Sequence, residues 1–99
     1  MKHIDGRLSA GAVGLSSKPS LLTVKNIKTG WSACLHSCQS LLTAKNIKSV
    51  NNVRIFNCPS LLVAKNIQAE WNVWLNGCPS LLELSPTVKG GEIYVSFNL

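Results

Sequence analysis

Ser40-Leu41-Leu42-Thr43-Ala44-Lys45-Asn46-Ile47-Lys48 stands between two near-copies of itself. Twenty residues earlier the chain reads Ser20-Leu21-Leu22-Thr23-Val24-Lys25-Asn26-Ile27-Lys28, and twenty later Ser60-Leu61-Leu62-Val63-Ala64-Lys65-Asn66-Ile67-Gln68. No insertion or deletion separates the three copies. A fixed period of this length marks a stacked repeat, in which each unit buries its apolar face against its neighbours.

Extended in both directions, the register absorbs nearly the whole chain. Val13, Ala33, Val53, Val73 and Ile93 share one slot, and Leu15, Leu35, Ile55, Leu75 and Val95 share the slot two residues on. Leu22, Leu42, Leu62 and Leu82 make a third apolar slot, followed by Val24, Ala44, Ala64 and Leu84, with Ile4 in the first copy. Apolar slots two residues apart are strand periodicity. Val53-Arg54-Ile55-Phe56, Val73-Trp74-Leu75 and Ile93-Tyr94-Val95 are rich in β-formers. A second strand is predicted through Leu22-Thr23-Val24 and its equivalents. Turns are predicted at Lys28-Thr29-Gly30, Lys48-Ser49-Val50-Asn51-Asn52 and Asn76-Gly77-Cys78-Pro79, with Pro19, Pro59 and Pro79 recurring at one corner. The expected fold is all-β, a parallel β-solenoid of about five coils, with equivalent strands about 4.8 Å apart. One domain then spans residues 1–99, with worn copies at 1–19 and 80–99 acting as N- and C-terminal capping coils.

The chain is 45% hydrophobic and 14% charged, which argues against disorder. No run approaches the roughly 20 apolar residues of a membrane span. The segment Leu8 to Leu15 is a poor signal-peptide core and is used by the repeat, so a cytoplasmic location without membrane contact is expected. A net charge of +6 favours acidic partners in general.

Leu-x-[Thr/Val]-x-x-Asn at Leu21 to Asn26, Leu41 to Asn46 and Leu61 to Asn66 resembles the Leu-x-Leu-x-x-Asn core of leucine-rich repeats. Ile55-x-x-Cys58-x-x-Leu61 and Leu75-x-x-Cys78-x-x-Leu81 are similar to the Phe-x-x-Cys-x-x-Leu spacing of the BspA-like bacterial subfamily. The resemblance covers roughly residues 34 to 84 and implies a β-rich, leucine-rich-repeat-like solenoid. Two features depart from it: the apolar residue after each Asn (Ile27, Ile47, Ile67) comes one position early, and the period is short. A horseshoe and a triangular or flattened β-helix both remain open.

Stacking turns every repeat position into a column. The amides of Asn26, Asn46 and Asn66 are read as a buried ladder that satisfies a corner, ending where Pro86 replaces the Asn. Cys38, Cys58 and Cys78 are read as free thiols packed as small hydrophobes, with Lys18 and Asn98 at the ends of their column. Cys34, His36 and Cys38 alternate along one strand, but zinc needs a fourth ligand and none is present, so no metal or cofactor is assigned. The Lys25, Lys45 and Lys65 column is costly, because like charges about 5 Å apart repel by ~0.8 kcal/mol even in water. With Lys28 and Lys48 it offers either a solvated stripe that blunts aggregation or an anion-binding surface for phosphate backbones.

On the other strand Arg54, Phe56, Trp74 and Tyr94 are expected to cluster on one face, with Trp31 and Trp71 in a neighbouring column. Exposed aromatics beside an arginine have the composition of interface hot spots. Two histidines and four acids form no triad or carboxylate pair. The expected function is therefore non-catalytic: a protein-interaction module, with self-association possible through the apolar strand Ile93 to Leu99. Anion or nucleic-acid binding through the lysine columns is the alternative.

Overall fold

The structure, a computed structural model, describes residues 2–96. Each coil contributes one long and one short strand: β1 (His3–Ser9) and β2 (Val13–Ser16), β3 (Thr23–Thr29) and β4 (Ala33–His36), β5 (Thr43–Ser49) and β6 (Val53–Phe56), β7 (Val63–Ala69) and β8 (Val73–Asn76), β9 (Glu83–Val88) and β10 (Ile93–Ser96). Long strands pair in the order β1-β3-β5-β7-β9, and short strands in the order β2-β4-β6-β8-β10. Every pairing is parallel. The all-β solenoid of about five coils is thus borne out. Strands on both long sides of each coil make it a flattened β-helix. Phe97, Asn98 and Leu99, part of the expected terminal strand, lie outside the described residues, as does Met1.

The two sheets face one another across a single core. Val24, Ala44 and Ala64, then Ile27, Ile47 and Ile67, meet the Val13 and Leu15 columns of the opposite sheet. The Leu22 column does not join them. Leu42 and Leu62 are more than a third exposed, whereas Leu21, Leu41 and Leu61 are buried in their place. The backbone explains the exchange. Leu41 N–H donates to the Cys38 carbonyl (3.3 Å) and Leu61 N–H to the Cys58 carbonyl (3.2 Å), so a tight turn points the first leucine inward. The residue after the cysteine takes the second position of that turn. Proline is favoured there because its φ is already set, which accounts for Pro19, Pro59 and Pro79.

The early isoleucines have an equally local cause. Asn26, Asn46 and Asn66 adopt left-handed backbone, with φ of 58°, 54° and 52°. This single residue breaks the alternation of the strand. Lys25 and Asn26 both turn outward and Ile27 faces the core. Asparagine tolerates the conformation better than any residue but glycine, and Gly6 (φ 86°) takes the slot in the first coil. The strand then continues through Lys28 and Thr29, which sequence periodicity places in a turn. Thr29 and Ser49 are buried at that end. The Ser49 hydroxyl donates to the Asn52 carbonyl at 2.9 Å and accepts from Asn51 N–H at 3.1 Å, tying down the corner.

The fifth coil is irregular. Ala64 pairs with Leu84, but Ile67 pairs with Pro86, so this coil lacks one residue at the asparagine corner. Pro86 therefore occupies the isoleucine slot rather than the asparagine slot. The Gly90-Gly91 turn restores the register before Ile93 pairs with Val73. A Cβ on Gly91 would collide with the Trp71 carbonyl and the Asn72 side chain, so only glycine closes this turn.

Candidate interaction surfaces

Parallel pairing aligns Cys34 with Arg54, Arg54 with Trp74 and Trp74 with Tyr94 on the outer face of the short-strand sheet. Arg54, Trp74 and Tyr94 are exposed. The Trp74 and Tyr94 rings stack with centroids 4.5 Å apart and planes tilted by 31°. Phe56 lies in the adjacent column, half-buried, and meets His36 edge-on at 6.4 Å. The expected cluster of Arg54, Phe56, Trp74 and Tyr94 is therefore contiguous. Trp71 is displaced from it: with Trp31 it projects from the corner between the sheets, each ring more than half exposed.

The opposite sheet carries the lysines. Lys25, Lys45 and Lys65 are in register, as are Lys28 and Lys48, with Gln68 completing the second column. The asparagine ladder runs between the two columns, and it is exposed rather than buried. Asn46 Nδ2 donates to Asn26 Oδ1 at 3.0 Å, and Asn66 Nδ2 to Asn46 Oδ1 at 2.9 Å. Asn26 Nδ2 donates to Asp5 Oδ1 at 2.7 Å, so the ladder ends on a carboxylate. The left-handed corner that brings Ile27 inward forces the amide outward, which periodicity alone does not reveal.

Two acids missed by the sequence reading bracket the lysine column. Asp5 pairs in register with Lys25, and Glu83 Oε2 lies 2.9 Å from Lys65 Nζ. The only other ion pair among the described residues joins Lys89 to Glu70 at 3.4 Å. Among the described residues, Lys25, Lys45, Lys28 and Lys48 have no acidic partner within ion-pair distance. Lys28, Lys48, Gln68 and the three asparagines line a shallow groove of about 520 Å³. Asp5 could have been found from the period, since it falls in the slot of Lys25. Glu83 falls in the slot of Val63 and reaches Lys65 only diagonally.

The four cysteines are free thiols. Cys38, Cys58 and Cys78 are fully buried in one column. Their sulfurs point at strand-end carbonyls, Cys58 Sγ to Phe56 O at 3.5 Å. The neighbouring Cys78 thiol and burial together push the Cys58 thiol far above the usual thiol range. Ser37 has left-handed backbone (φ 55°) and turns Cys38 into the core, while Cys34 and His36 stay on the outer face. The three do not converge, and no cluster of metal-ligating side chains occurs among the described residues. Burial also raises the Cys34 thiol, offset in part by the charge of Arg54.

No helix among the described residues is long and apolar enough to cross a membrane. No family model matches the chain, and neither a curated protein nor a solved structure does.

Proposed function

We propose that the chain is a non-catalytic protein-interaction module whose contact surface is the outer face of the short-strand sheet around Arg54, Phe56, Trp74 and Tyr94. The observation that carries this reading is the exposed Trp74–Tyr94 stack, 36% and 41% accessible. Two large rings held rigid on a flat sheet present apolar area at little entropic cost, and an arginine and a half-buried phenylalanine adjoin them. A broad face of this kind fits another protein better than a small molecule, which calls for concavity. The acids and histidines support the non-catalytic part. Glu70 and Glu83 are engaged with lysines, and among the described residues neither histidine meets a carboxylate that would complete a triad: His3 Nδ1 lies 2.7 Å from Thr23 Oγ1 and His36 Nδ1 3.0 Å from Ser37 Oγ.

Kinship to leucine-rich repeats of the BspA-like bacterial type belongs to this proposal, supported by the Leu-x-[Thr/Val]-x-x-Asn and x-x-Cys-x-x-Leu spacings alone. So does a cytoplasmic setting, supported by four unpaired thiols, three of them stacked at equivalent corners of adjacent coils.

A photo-crosslinking benzophenone residue in place of Trp74 tests the surface against the same residue in place of Lys45, on the opposite sheet. A covalent protein adduct from position 74 and none from 45 is the expected result. Adducts from neither position, or equally from both, overturn it. Against the partner so captured, Trp74→Ala with Tyr94→Ala should weaken binding at least about 30-fold, the equivalent of ~2 kcal/mol at a hot spot.

The asparagine groove favours a second reading, anion or nucleic-acid binding, now narrowed to Lys25, Lys45, Lys28 and Lys48. If all four neutralise phosphates of a duplex, log K should fall with log salt with a slope near −3.6, at about −0.9 per contact. Lys28→Glu with Lys48→Glu should abolish that binding. No binding by wild type at low salt ends this reading.

A further inference from the structure

The apolar slots of the fifth coil are filled with the right residues, but only Leu81, Leu84 and Val88 pack against the core, and the short-strand slots stay exposed. Ile93 and Val95 are 41% and 38% exposed, while Val73 and Leu75, one coil earlier in the same slots, are 0% and 1%. No described strand lies beyond β9 or β10, nor before β1 or β2. We infer that copies of this chain stack head to tail, the fifth coil of one copy pairing with the first coil of the next. The inference rests on reading the chain as an interaction module, but it uses the coil ends rather than the aromatic face.

Three observations select this occupant and this polarity. The columns continue in register: Leu84 stands in the slot of Ile4, Ile93 in that of Val13 and Val95 in that of Leu15. A copy set one coil further therefore lays apolar on apolar at these three slots, while Arg7 of the first coil meets Pro86 in the isoleucine slot. Tyr94 stands in the slot of Gly14, whose outer side is open and carries no side chain to obstruct the ring. Charge supplies the polarity. Glu70, Glu83 and Glu92, three of the four acids, lie in the last two coils, and eight of the ten basic residues lie in the first three. Head-to-tail contact brings the acidic end onto the basic end, with Glu83 in the column of His3, whereas like ends repel.

Pro86 lacks an N–H and the β9 edge is irregular, so the pairing falls chiefly to β10 against β2 of the next copy. The contact is heterologous and does not close on itself, so it grows an open chain.

Light scattering with size separation should therefore give masses that rise with concentration through multiples of 10.7 kDa. Val95→Lys should return the mass to the monomer with an unchanged circular dichroism spectrum. Polarity is read by cysteines in a Cys34→Ser background, which removes the thiol that is not fully buried. Adjacent parallel strands hold Cα atoms within disulfide range. Tyr94→Cys mixed with Gly14→Cys should give a mixed disulfide dimer, and Tyr94→Cys alone should not dimerise. A monomer at every concentration overturns the inference, as does an oligomer in which Tyr94→Cys bonds to itself. A monomer that still crosslinks another protein at position 74 would leave the interaction face standing and remove only the stacking.

Discussion

Leu41→Ala is expected to lower the unfolding free energy by about 2–5 kcal/mol, the cost of a cavity at a fully buried leucine. Measured as a fall in the urea midpoint at unchanged slope, that loss would take a large share of the 5–15 kcal/mol typical of a domain. The middle coil suffers most because Leu41 packs between the equivalent leucines Leu21 and Leu61. Leu81 fills the same slot in the fifth coil but is only partly buried. Leu81→Ala should therefore cost about 1 kcal/mol, in proportion to the apolar area it still hides. Equal losses at the two positions would contradict a stack whose stability is summed over neighbouring coils.

Asn46→Val should destabilise by about 2–4 kcal/mol, although Asn46 is exposed. Two separate costs combine. A β-branched residue held at φ 54° pays roughly 1–2 kcal/mol for the left-handed backbone. Losing both amide bonds of the ladder adds roughly 0.5–1.5 kcal/mol each, towards the low end in water. Asn46→Gly removes the bonds but keeps the backbone permissive, and should cost about 1 kcal/mol. Thermal unfolding separates them, since 1 kcal/mol moves the midpoint of a domain of this size by about 4–8 °C. If glycine proves as harmful as valine, the ladder rather than the backbone sets the stability.

Repetition made the architecture legible in the sequence. Identical residues at Leu41 and Leu61, or at Ile47 and Ile67, must occupy identical environments, so the period alone implies stacking. The Arg54, Trp74 and Tyr94 column was readable for the same reason, since it follows from register without knowledge of the corners. What alternation could not reveal is where it breaks. Asn46 spends its left-handed φ on one extra outward residue, and from that point inside and outside are offset by one. The exposed amide ladder, the inward Ile47 and the extension of the strand through Lys48 all follow from that backbone angle. The exchange of Leu42 for Leu41 in the core comes from the proline-type turn, another departure from alternation. In the fifth coil the residue missing beside Pro86 was masked by the extra residue at Gly90-Gly91, because the two cancel in any count of period.

The flattened coil also has a mechanical direction. Backbone hydrogen bonds between coils, such as Leu42 N–H to Leu22 O at 2.8 Å and Leu62 N–H to Leu42 O at 2.9 Å, run along the stacking axis. Tension along that axis loads one coil boundary at a time and peels the stack from an end. Each coil released frees twenty residues, about 65–70 Å of extended chain. Tension along the strands instead shears a whole row of bonds together. The molecule is therefore soft along its axis and stiff across it.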